Sequence, residues 1–150
     1  MTFQLVRGEF EKRTRDGLIG AGVPSSAVFF DNVGENPPRD GSYAVISISF
    51  TDVVVDTVSC EGVEDLRGSL SVNVYTSKNR GSKEGEDICL AVLKAWIEIN
   101  KYSAAPADTI RTMVTRSLEG PYTIAPTTQT DQQQAKHINN VACSWLARTA

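Results

Sequence analysis

Side chains able to carry chemistry are few in this sequence, and their spacing does not bring them together. The single histidine, His137, opens a run of alternating apolar and polar residues, and no spacing ties it to a nucleophile or a metal set. It reads as a structural or solvated side chain. Ser144 follows Cys143 inside the same run and lacks the glycine-flanked elbow that presents a hydrolase serine. Gly17-Leu18-Ile19-Gly20-Ala21-Gly22 is glycine-rich, but a helical pattern leads into it where a phosphate cradle needs a strand. It reads as a helix stop and turn. Gly81-Ser82-Lys83-Glu84-Gly85 holds glycine and lysine without the phosphate-loop order. Glu61, Glu64 and Asp65 form one acidic cluster and Glu84, Glu86 and Asp87 another, yet neither has the alternating oxygen ligands of a calcium loop. The first reads as a solvated turn and the second as the start of a helix. Cys60, Cys89 and Cys143 are odd in number and far apart, which suits free, mostly buried thiols and neither a disulfide framework nor a zinc site. Arg111, Arg116 and Arg148 lie on or near the last strands as surface arginines, or as a lining for a ring or a subunit contact. With no acid–base pair, ligand set or cofactor loop, the expectation is a domain that binds or assembles, without enzymatic activity, cofactor or metal.

Bulk properties narrow the partners. The chain has 150 residues, 41% of them hydrophobic, enough for one domain spanning 1–150 with its own core. Its 15 basic and 18 acidic residues leave a net charge of −3, whereas a nucleic-acid module is expected to be basic. No apolar run approaches the roughly 20 residues of a membrane span. Met1-Thr2-Phe3-Gln4 has no basic stretch leading into an apolar one, so no secretory leader is expected.

The elements that would position these residues follow from periodicity. Phe3, Val6 and Phe10 recur at helical spacing over Thr2 to Asp16. Val28-Phe29-Phe30 is a short apolar run, followed by a polar loop through Pro37 and Pro38. Ala44, Ile46, Ile48 and Phe50 alternate with Ser47 and Ser49, which marks a half-buried strand, and β character continues from Asp52 to Val58. Leu66 to Thr76 is a strand with Leu70, Val72 and Val74 on one side and Ser69, Ser71, Asn73 and Tyr75 on the other. One polar face favours antiparallel pairing. A helix is predicted from Ser82 to Lys101, with a stripe of Ile88, Ala91, Val92, Ala95, Trp96 and Ile99 that covers the sheet. Ile110 to Leu118 and His137 to Ala147 complete the strands. Between them, Glu119 to Lys136 is proline- and glutamine-rich and reads as an extended loop or arm. Runs of strands without strict alternation with helices give an α+β fold: a mainly antiparallel sheet packed by an N-terminal helix and one long central helix.

This layout resembles the tail terminator and tail-completion proteins of long-tailed bacteriophages, including the lambdoid group. The resemblance is carried by the opening helix ending near Gly17, by Val28-Phe29-Phe30-Asp31-Asn32-Val33 with Pro37-Pro38 and Tyr43-Ala44-Val45-Ile46, by Arg67 to Tyr75 leading into the long helix, and by the closing pair of strands. It spans almost the whole chain. It implies a structural virion protein, located in the tail or neck and assembled in the host cytoplasm. Such a protein forms a ring, six-fold in the family, that caps the tail tube, stops its polymerisation and joins tail to head. A head-to-tail contact that closes by rotation makes a ring where an open one makes a fibre. The implied partners are copies of the chain itself, the tail-tube protein and a neck or head-completion protein, while genome DNA passes through without specific binding. No catalytic residues carry over. A neck or head–tail connector, or a tail-tube subunit, would share the layout, and a small ligand-binding α+β domain is a reading from another class.

Expected interface residues are Pro37, Pro38, Arg39, Tyr122, Ile124, Gln132 and Gln133, in the proline loop and the glutamine-rich arm. The arm is where this sequence departs from the family pattern. Net acidity suits a channel through which DNA slides, so Glu61, Glu64 and Asp65 are the expected channel-lining residues.

Overall fold

The structure, a computed structural model, describes residues 3–30, 42–55, 64–77, 82–101, 110–124 and 136–149. In chain order these form α1 (Phe3–Gly20), a 3-10 turn (Ser25–Ala27), β1 (Val28–Phe30), β2 (Tyr43–Val55), β3 (Glu64–Ser77), α2 (Ser82–Lys101), β4 (Ile110–Ile124) and β5 (Lys136–Thr149). The strands make one sheet in the order β1-β2-β3-β5-β4. β1 runs parallel to β2, and the other neighbours are antiparallel. The fold is therefore α+β, with an N-terminal helix, a central helix and a mostly antiparallel sheet. None of the described helices is long and apolar enough to cross a membrane.

Alternation along the strands decides which face is covered. Ala44, Ile46 and Ile48 on β2, Leu66, Leu70, Val72 and Val74 on β3, and Val141, Cys143, Trp145 and Ala147 on β5 are all buried. They meet Val6, Phe10 and Leu18 from α1 and Ile88, Cys89, Val92, Trp96 and Ile99 from α2 in one core. Burying such side chains stabilises by roughly 1.5–3 kcal/mol each. The opposite face is polar across its middle, while towards β1 it carries an aromatic group in which Tyr43 stacks on Tyr75 at 4.5 Å and meets Phe29 edge to face at 5.9 Å. In that middle Ser49 and Ser69 share a hydrogen bond of 2.6 Å, and Asn140 Nδ2 donates to Asn73 Oδ1 at 2.7 Å.

Gly68 allows the middle of the covered face to close. It pairs with Phe50 on β2 and with Trp145 on β5. Across this gap the two rings meet edge to face with centroids 5.0 Å apart, and Phe10 of α1 packs on Trp145 at 4.9 Å. A Cβ at residue 68 would run into the Ser49 carbonyl oxygen and come within 2.7 Å of the Trp145 ring. Polar bonds extend the same contact outward. Trp96 Nε1 donates to Thr14 Oγ1 at 3.0 Å, and that hydroxyl donates to the Phe10 carbonyl at 2.7 Å. Thr115 Oγ1 donates to the Trp96 carbonyl at 2.8 Å. Asn100 then clamps the Thr115 backbone, accepting from its N–H at 2.7 Å and donating to its carbonyl at 3.0 Å. Both helices are thus tied to one another and to β4 through buried bonds, each worth about 0.5–1.5 kcal/mol net.

Several boundaries differ from those the periodicity predicts. α1 runs past Asp16, because Gly17 lets the helix approach α2 closely: a Cβ there would lie 2.8 Å from that of Ala95. Ala91 and Ala95 of the predicted α2 stripe are only half-buried. The stop comes at Gly22, with φ of 101°. Gly22 N–H donates to the Ile19 carbonyl and Val23 N–H to the Leu18 carbonyl, the paired bonds of a Schellman ending, with Leu18 and Val23 both buried. Residues 64 and 65, expected in a solvated turn, already belong to β3, where Glu64 pairs with Val55 and Asp65 with Val54. β2 is described as far as Val55, and the rest of the run predicted to Val58 lies outside the described residues. β4 does not stop at Leu118 but continues through Glu119, Gly120, cis-Pro121 and Tyr122 to Ile124. An edge strand accepts proline because its outward N–H has no ladder bond to give. Register shifts between Arg116 and Glu119 and between Glu119 and Tyr122 absorb the extra residues, aided by positive φ at Ser117 and Gly120. Only the part of the expected arm at 125–135 lies outside the described residues.

Two predictions follow from the core. Gly68→Ala should lower stability by about 1–3 kcal/mol or more, since neither a carbonyl nor an interlocked indole can yield cheaply, and urea unfolding would read it. Burial pushes the Cys89 thiol up from 9.0 to about 12, with nearby Glu86 adding to the rise, and burial alone does the same to Cys143. Both thiols stay protonated in the folded chain while the unfolded chain ionises, so stability is intact below pH 9 and falls between pH 9 and 12. Thermal melts in a Cys60→Ser background should show that decline, with neither thiol reacting with an aromatic disulfide at pH 8 until the chain unfolds.

Candidate functional site

The open sheet face is not uniformly neutral. At the end where β3 begins and β5 finishes, it holds a hollow of about 450 Å³. Pairing explains its composition. Arg67 of β3 lies opposite Leu146 of β5, Arg148 opposite Asp65, and Arg116 of β4 opposite Ser144. The three arginines therefore stand on neighbouring positions of one face around Leu146, and all three line the hollow with Asp65, Thr51 and Ser144. Register across three strands gathers them from distant points in the chain.

Asp65 and Arg148 form the fixed part. Arg148 Nε donates to Asp65 Oδ1 at 2.8 Å and Nη2 to Oδ2 at 3.1 Å, a two-pronged contact that sets the plane of the guanidinium. The Asp65 side chain is 6% exposed and that of Arg148 46%, so the carboxylate is buried beneath a half-exposed cation. Arg67 and Arg116 are exposed, and neither has a hydrogen bond or ion pair from its guanidinium among the described residues. The lining carries three cations and one anion. Such a site can hold an anion and has no nucleophile–base pair among its lining residues.

A second feature is the β4 edge. Among the described residues β4 pairs with β5 on one side and is the last strand of the sheet on the other. Tyr122 projects from it with 55% of its surface exposed. On α2, Leu90 and Ile97 are also exposed, about two turns apart on one side of the helix.

The expected interface and channel residues are only partly brought together. Tyr122 and Ile124 lie two residues apart on β4, opposite Asn140 and Ile138. Pro37, Pro38, Arg39, Gln132, Gln133 and Glu61 lie outside the described residues. Glu64 and Asp65 are consecutive on β3. Asp65 does not stand as a free acidic group facing a channel, because its carboxylate is buried and held by Arg148. Arg67, Arg116 and Arg148 line the hollow around it. His137 pairs with Thr76 at the start of β5, and Cys89 and Cys143 are free and buried. Sequence reasoning noted Arg116 and Arg148 but missed Arg67. Its position on the polar side of an alternating strand was a signal, and only the β3–β5 register could have joined it to the other two.

No family model matches this sequence, and no curated protein matches it. Solved structures do. One, whose name describes no function, superposes with a TM-score of 0.58 at 19% identity, covering 98% of this chain and 96% of its own. At that identity the likeness shows that the whole chain adopts a fold already seen in a protein of similar length.

Removing the Asp65–Arg148 contact tests how far it organises this end of the sheet. Arg148→Ala should cost about 1–3 kcal/mol, mostly from a buried carboxylate losing a charged donor. A double-mutant cycle with Asp65→Asn should give a coupling of about 1 kcal/mol in urea unfolding, at the upper end of what solvated surface pairs give.

Proposed function

We propose that this chain is a structural protein of a bacteriophage particle: a tail terminator that forms a ring, caps the tail tube, stops its growth and joins tail to head. The resemblance in the sequence motivates the reading, and the β4 edge supports it best. That strand has fifteen residues, on the order of 50 Å of chain, with one side unpaired among the described residues. Proteins that act alone keep edge strands short or covered, because an open ladder recruits other chains. Here the bulges and Pro121 interrupt the ladder midway. An interrupted edge rejects indefinite stacking and accepts a neighbour of matching shape, which suits a closed ring more than a filament. The exposed Tyr122 adds an amphipathic anchor of the kind enriched in protein interfaces.

Particles assembled without this chain should carry tails of irregular length, or tails without heads, in negative-stain micrographs. An antibody against the chain should mark the head-proximal end of the tail. Label along the whole tube would make it a tube subunit, label on the head vertex a connector. Normal tails in its absence would end the proposal.

A further inference from the structure

We propose that the hollow on the open sheet face is a binding site for a doubly charged phosphate group. The inference stands apart from the assembly reading and holds or fails without it. Three guanidiniums share the hollow, and the one carboxylate among its lining residues, Asp65, is already committed to Arg148. That leaves Arg67 and Arg116 on the lining of one hollow with no ion-pair partner among the described residues. An anion bound there would meet positive charge from more than one strand.

The chemistry of the anion follows from number and geometry. A single carboxylate brings one charge and two coplanar oxygens, which one arginine fork satisfies, so the other guanidinium would stay uncompensated. A phosphate monoester or diphosphate brings about two charges and oxygens directed tetrahedrally, matching several forks that approach from different strands. Ser144 lines the same hollow and brings a hydroxyl, while the Thr51 hydroxyl donates to the Arg67 carbonyl at 3.3 Å. Asp65 acts as a positioning residue: it holds the Arg148 plane and lowers the site's charge without meeting the ligand. A run of nucleic-acid backbone fits less well. Each internal phosphodiester carries one charge, and a chain with net charge −3 gives little long-range attraction to DNA. A small phosphate compound and the 5′-phosphate end of a nucleic acid present the same group.

The test is titration calorimetry on the full chain with inorganic pyrophosphate, with sodium chloride at matched ionic strength as the control. Parallel arms use a short oligonucleotide with and without a 5′-phosphate, and a glutamate-rich peptide. One pyrophosphate should bind per chain and raise the melting temperature. Arg67→Gln and Arg116→Gln should each weaken binding at least tenfold. Both residues are exposed, so the variants should keep the urea midpoint of the parent, which verifies that they fold. Binding of the 5′-phosphorylated oligonucleotide alone, lost in both variants, would support the site with a nucleic-acid end as its source. Pyrophosphate binding no better than chloride while neither oligonucleotide binds, binding unchanged in both variants, or a preference for the peptide would each overturn the proposal.

Discussion

A missing side chain holds the centre of this molecule together. Gly68 leaves room between β2 and β5 for Phe50 and Trp145 to meet across the strand that separates them, and Phe10 fixes α1 on the same indole. Trp145 Nε1 donates to the Ser69 carbonyl at 3.2 Å, so the large ring is anchored as well as packed. From there Thr14, Trp96, Thr115 and Asn100 carry the constraint through both helices to β4. One face of the sheet is thereby committed to the core, and everything left for function lies on the other face or at the edge.

The division of labour follows from strand alternation. A strand that buries Leu70, Val72 and Val74 must present Ser69, Ser71 and Asn73 outward. The same rule puts Asp65 and Arg67 on the outer side of β3, and the antiparallel register sets Arg148 beside one and Leu146 beside the other. The basic hollow is thus a product of register, and a slip by one residue would send its arginines into the core. β4 is looser: Asn100 grips it at Thr115, while its far half is bulged and kept in place by its pairing with β5.

Periodicity made most of the architecture legible. The boundaries of α2 are those expected, because Glu84 stands in its first turn and an unbroken apolar stripe runs through Trp96 and Ile99. The alternation of β3 and β5 reported the covered face directly. Local signals misled where a tertiary contact outweighed them. Gly17 looked like a helix stop but serves close approach to Ala95, and Gly120-Pro121 looked like a loop but sits in a strand whose edge position tolerates proline. The candidate site was legible only in pieces. Arg67, Arg116 and Arg148 are separated by long stretches of chain, and nothing in local spacing says that three strands will set them together.

We propose that the fold commits one sheet face to its core and offers the β4 edge to other chains. Backbone hydrogen exchange, read residue by residue on the isolated chain and on the assembled particle, tests it most directly. β4 amides should exchange faster than those of the interior strand β3 in the isolated chain and become protected on assembly, while β3 changes little. Protection of β4 equal to that of β3 in the solitary chain, or unchanged on assembly, would contradict the account.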